Sequence, residues 1–125
     1  MGKNIILIAG LRRSGTTATW RAFHLDKRIK CFNEPFNPLI MDISNPNFLG
    51  GEFYQEYTDH IRKDSVKFWA SYAPIENIYE LNTGLTEQQK NYLNYLVEDS
   101  EHVLFEMTRA HNKLADLKNL FPVLF

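Results

Sequence analysis

The sequence predicts an α/β fold, a parallel sheet flanked by helices, and three observations carry that prediction. Asn4–Ala9 is a short run dominated by isoleucine and leucine and closed by Gly10, the pattern of a strand covered on both faces. A loop of glycine and small hydroxyl residues follows, and then Ala18, Trp20, Ala22, Phe23 and Leu25 support a helix. His102–Met107 is a second buried-strand pattern, after which Leu114, Leu117 and Leu120 recur at intervals of three, as in a helix packed on a sheet. Strands that alternate with helices in this way build a sheet covered by helices.

Taken in chain order, Asn4–Ala9 is expected to be the first and central strand. Residues 30–32 suggest a second short strand, closed by the turn-forming NEPFNP, in which Pro35 and Pro38 bar helix continuation. Between residues 39 and 84 the pattern is weaker. SNPNFLGG is turn-rich, residues 52–63 read as a helix, and Phe68, Trp69, Tyr72 and Tyr79 read as an irregular aromatic insertion packed in the core. Asn82, Thr83 and Gly84 form a turn signal, and Thr86 with Gln89 matches a capping box for a helix running to about Asp99. Tyr92, Leu93, Leu96 and Val97 fall on one side of that helix. Residues 111–120 read as the last helix. Pro122 opens an apolar triplet that looks like the approach to a further parallel strand, so a truncated fold is expected. There is no internal repeat or linker, and residues 1–125 read as one domain.

Composition narrows the function classes. The chain has 125 residues, 44% hydrophobic and 23% charged, which argues against a disordered, collagenous or disulfide-scaffold protein. Its longest strongly apolar run covers residues 5–11, far short of the roughly 20 residues of a membrane-spanning helix. The single cysteine, Cys31, has no intrachain partner and cannot anchor a cysteine metal site; it fits a reducing, cytoplasmic setting. Residues 1–34 carry seven basic against two acidic groups, whereas residues 35–101 carry four against eleven. An anion site is therefore expected near the N-terminus, and a general nucleic-acid surface is not.

The segment GLRRSGTT, residues 10–17, has the spacing of a phosphate loop, with Thr16 where a nucleotide-hydrolysing P-loop carries lysine. Gly15 lets the backbone approach an anion, and the N–H groups and dipole of the following helix attract it. Ser14, Thr16 and Thr17 offer hydroxyl donors. Arg13, and secondarily Arg12, offers the charge that the missing lysine would supply.

RSGTT at residues 13–17, directly after a buried strand and before a Trp-containing helix, resembles the 5′-phosphosulfate loop of sulfotransferases that use 3′-phosphoadenosine 5′-phosphosulfate (PAPS). FNEPF at residues 32–36 is similar to that family's Glu-Pro motif, and KLADLKNLFP at residues 113–122 to the helix leading into its next core strand. The resemblance implies a P-loop-containing, sulfotransferase-like fold and transfer of a sulfuryl group from PAPS, without a metal, to a hydroxyl or amine on a small molecule or carbohydrate. It implies that Arg12, Arg13, Ser14, Gly15, Thr16 and Thr17 bind the donor and that Arg13 stabilises charge on the leaving phosphate. Glu34 is then the candidate general base; a turn-holding glutamate is the alternative. The family's 3′-phosphate arginine and serine would follow the strand after Phe-Pro, where this sequence stops. A small-molecule kinase, against which Thr16 argues, and a non-catalytic, homodimer-forming binding domain of the same fold remain the competing readings. Glu106, Arg109 and His111 gather at the end of a predicted strand, the edge where open α/β sheets bind ligands.

Overall fold

The computed structural model describes residues 4–9, 16–45, 48, 51–75, 84–107 and 113–121. Strands β1 (Asn4–Ala9), β2 (Lys30–Asn33) and β3 (His102–Met107) form a sheet in the order β1-β3-β2. Both pairings are parallel: Asn4 faces His102 and Ala9 faces Met107, while Lys30 faces Val103 and Asn33 faces Glu106. The flanking helices are α1 (Thr16–His24), α2 (Gln55–Lys63), α3 (Ser65–Ser71), α4 (Glu87–Val97) and α5 (Leu114–Leu120), with 3-10 turns at Pro38–Asp42 and Gly51–Tyr54. The class is α/β with a parallel sheet between helices, as the sequence predicts.

Side chains alternate across the strands and divide the core into two layers. Ile5, Leu7, Phe32, Val103, Phe105 and Met107 face the larger layer, where Tyr57, Phe68, Tyr92, Leu93, Leu96 and Leu117 of α2 to α5 meet them. On the other face Ile6, Ile8, Cys31 and Leu104 pack against Trp20 and Phe23 of α1. The Trp20 indole N–H donates to the Cys31 carbonyl at 3.1 Å, which ties α1 to β2 and satisfies the one polar atom of a fully buried ring.

Several expectations change. β1 is not the middle of the three described strands; β3 is. Its residues Val103 to Met107 are all buried, whereas in β1 Asn4 is exposed and Ile6 and Ile8 are half-buried, and the strand covered on both faces takes the centre. No helix runs through Pro35 or into Pro38, and Pro38 opens a 3-10 helix, because its fixed φ suits a first helical position and the Asn37 side chain accepts from Leu39 N–H. The segment 52–63 splits into a 3-10 turn and α2. Residues 65–71 of the aromatic insertion are helical: Asp64 caps α3 by accepting from Lys67 N–H at 3.0 Å, Phe68 is buried, and Trp69 lies 37% exposed at the surface rather than in the core. Leu25 falls just beyond α1 and is exposed.

The capping box is present, with Thr86 and Gln89 each accepting from the other's backbone N–H at 3.1 Å. α4 ends at Val97, two residues before the expected Asp99, and α5 starts at Leu114. Tyr79, Asn82, Thr83, His111 and the segment 122–125 lie outside the described residues. Among the described residues no helix is long and apolar enough to cross a membrane.

Candidate functional site

Because the three strands are parallel, their C-terminal ends share one edge of the sheet, and the segments that follow β1, β2 and β3 all leave from it. Arg12, Arg13, Ser14 and Gly15 lie outside the described residues, as does Arg109. The backbones of Thr16 and Thr17 form the start of α1, whose first turn holds no acidic residue and whose last turn holds Arg21 and His24. That polarity of charge suits an anion at the helix start. Glu34 follows β2 and Glu106 is the penultimate residue of β3; they meet through the Glu34 N–H, which donates to the Glu106 carbonyl at 2.7 Å.

Glu34 is held in an unusual conformation. Its φ of 44° lies in the left-handed region, and no other non-glycine among the described residues has a positive φ. For a side chain other than glycine this costs about 1–2 kcal/mol, and such a conformation persists only where its surroundings over-determine it.

The surroundings do so through five successive carbonyls. Asn33 O accepts from the Tyr57 hydroxyl at 3.0 Å and Glu34 O from Asn37 N–H at 3.0 Å. Pro35 O accepts from the Tyr92 hydroxyl at 2.8 Å, Phe36 O from Ile75 N–H at 2.9 Å and Asn37 O from the Tyr72 hydroxyl at 2.8 Å. Tyrosines from α2 and α4, and Tyr72 at the end of α3, thus grip one turn. Tyr57 and Tyr92 are wholly buried, and burial first, then neighbouring tyrosines, pushes their phenols well above the usual value of 10.0. They act as fixed neutral donors.

The Glu34 carboxylate is half-buried at this edge, and the Asn37 side-chain amide donates to its Oε2 at 3.3 Å and to the Tyr54 hydroxyl at 3.2 Å. A carboxylate so placed can accept a proton from a group brought to the sheet edge. The sequence does not single out Asn37 or Tyr57, and it reads Tyr72 and Tyr92 as packing residues rather than as partners of this turn. Their one signal is that a tyrosine on the apolar face of a helix needs a partner for its hydroxyl.

Two further buried ionic groups stand near or away from this edge. Lys113, 1% exposed, donates to the Gly84 carbonyl at 3.2 Å. At the opposite edge, where β2 and β3 begin, Lys30, Glu56, His60 and Lys63 help to line a polar cavity of about 230 Å³. Glu56 lies 3.0 Å from His24 Nδ1 through Oε1, while its buried Oε2 has no hydrogen-bond partner among the described residues. Burial raises its carboxyl above 4.5, against the pull of its own backbone N–H and of His24. Among the described residues, the cavity lining does not include Glu34.

Among the described residues no group of three or more His, Cys, Asp or Glu is arranged to hold a metal ion. Comparison of the chain with protein-family models, with curated proteins and with solved structures finds no match.

Proposed function

We propose that this α/β domain is a PAPS-dependent sulfotransferase domain that transfers a sulfuryl group to a hydroxyl or amine on a small-molecule or carbohydrate acceptor. The observation that carries the reading is the register of RSGTT with the local structure. β1 ends at Ala9 and α1 begins at Thr16, so the loop signature falls between a buried parallel strand and a helix start free of acidic residues, where backbone N–H groups favour an anion. The strained, tightly held Glu34 on the same sheet edge supports it as well.

PAPS, when bound, supplies an activated sulfuryl group. Arg13, with Arg12 in a lesser role, neutralises the phosphosulfate charge and stabilises the charge that grows on the departing phosphate oxygen. Ser14, Gly15, Thr16 and Thr17 contribute hydroxyl and backbone donors. Glu34 takes the proton from the acceptor as the acceptor's electron pair forms the new bond to sulfur and the sulfur–oxygen bond to the phosphate breaks. No acidic side chain competes with the donor in the first turn of α1.

Transfer of radiolabelled sulfate from PAPS to a panel of sugars and small alcohols tests the proposal. The parent polypeptide transfers label, and Glu34→Gln lowers the rate by about a hundredfold or more. Absence of transfer from a folded full-length polypeptide to every acceptor overturns it.

A further inference from the structure

We propose that the cavity at the start of β2 and β3 binds a small zwitterion, a molecule of amino-acid size that carries a primary ammonium and a carboxylate. The cavity lies at the edge of the sheet opposite Glu34, and its ligand does not depend on the sulfotransferase reading.

One wall of the cavity is a single face of α2. Asp59, His60 and Lys63 follow Glu56 by three, four and seven positions, the spacing that stacks side chains on one side of a helix. Lys30, the first residue of β2, and Asp99 and Ser100, between α4 and β3, form the other wall. Part of the charge is already matched. Lys63 Nζ reaches Asp99 Oδ2 at 2.6 Å, and Glu56 Oε1 meets His24 Nδ1 at 3.0 Å. Asp59 Oδ1 accepts at 2.8 Å from the Gln55 amide, a neutral partner that leaves the carboxylate charge in place.

Groups of opposite character are left over. Among the described residues the Lys30 ammonium has no hydrogen bond or ion pair. The Glu56 side chain is only 8% exposed, yet its Oε2 has no donor among the described residues, and a buried acceptor without a partner is costly. The two ends also differ in the field they make. After burial has raised the Glu56 carboxyl, Asp59 raises it further, and Lys30 is the last of the influences that oppose the rise. At His60 burial lowers the imidazole, and Lys30 and then Lys63 lower it further. The acidic end lacks a cation, and the basic end lacks an anion.

A lone cation would meet Lys30, and a lone anion would meet Asp59 and Glu56. One molecule with both charges suits both ends. Its ammonium supplies the donor that Oε2 lacks, after a small turn of the carboxyl about its last, broadly rotating bond, and relieves the repulsion between Glu56 and Asp59. Its carboxylate accepts from Lys30 and from the Ser100 hydroxyl. The volume of about 230 Å³ lies below the roughly 300–1,000 Å³ of sites for drug-sized ligands, which sets the scale at that of an amino acid.

NMR titration of the isotopically labelled protein with glycine, L-serine and β-alanine tests this, with acetate, methylammonium and glycerol as controls that each carry only part of the chemistry. At least one zwitterion is expected to shift the backbone amides of Glu56, His60 and Ser100 saturably, with a Kd of about 1 mM or tighter and at least about tenfold below that of any control. Lys30→Met and Asp59→Asn change exposed side chains and leave the core intact; each should weaken binding by about tenfold or more. Absence of saturable shifts with all of the zwitterions overturns the proposal. So does a control that binds as tightly as the best zwitterion, or an unchanged affinity in either variant.

Discussion

The Tyr92 hydroxyl reaches from α4 to donate to the Pro35 carbonyl at 2.8 Å, between residues 57 positions apart in sequence. It is one of three tyrosine contacts on the turn that carries Glu34. Tyr92→Phe leaves a buried carbonyl without its donor and should cost about 1–3 kcal/mol of unfolding free energy. Tyr57→Phe, at Asn33, should cost a similar amount. Urea denaturation measures both, and a loss below about 0.5 kcal/mol in each would mean that water reaches these carbonyls.

Glu34→Gly separates conformation from chemistry. Glycine relieves the left-handed φ, worth about 1–2 kcal/mol, but loses about 0.4–1 kcal/mol through the freer unfolded chain and forfeits the contact with Asn37. Stability should stay within about 1 kcal/mol of the parent while sulfuryl transfer disappears. Activity near the parent level would remove Glu34 from the mechanism.

Glu56 makes stability depend on pH in a direction opposite to that of most carboxylates. Its folded-state value is raised above 4.5, first by burial and further by Asp59, while its own backbone N–H, His24 and Lys30 oppose the rise. The folded chain holds the proton at pH values where the unfolded chain has released it. The contribution is therefore fully present below about pH 4.5 and lost as pH rises through the raised value. Glu56→Gln, which retains an acceptor for His24, should flatten this part of the pH–stability curve and be more stable than the parent above the window. Parallel curves for the two proteins would contradict the assignment.

Cys31 should be chemically silent in the folded protein. It is buried, and desolvation, followed by the charges of Glu56 and Asp26, pushes its thiol up to about 12. Since the thiolate is the reactive species, alkylation at neutral pH should be negligible in the native state and should appear only with unfolding in denaturant. Mass-spectrometric labelling checks this, and rapid native-state modification would show that α1 opens away from β2.

The elements were legible where local signals dominate. The isoleucine run of β1, the apolar run of β3 and the Thr86–Gln89 capping box each mark their own structure. The order β1-β3-β2 was not legible, because parallel pairing joins residues such as Asn4 with His102 and Lys30 with Val103, far apart in sequence, and leaves no local trace. α3 escaped notice because only Phe68 is fully buried, while Val66 and Trp69 face outward and blur the helical period. At the site, Glu34 stands out through its Glu-Pro context. The tyrosine grip does not, since an apolar helix face predicts that Tyr57 and Tyr92 are buried but not which carbonyls their hydroxyls meet.

The central claim is that the N-terminal loop holds the phosphosulfate end of the donor. Titration calorimetry of the full-length polypeptide with adenosine 3′,5′-bisphosphate tests it most directly. Saturable one-to-one binding that Arg13→Ala weakens by about a hundredfold or more is the expected result, in keeping with the loss of a preorganised charged donor. No binding to the folded full-length polypeptide, or equal binding by Arg13→Ala and the parent, would contradict it.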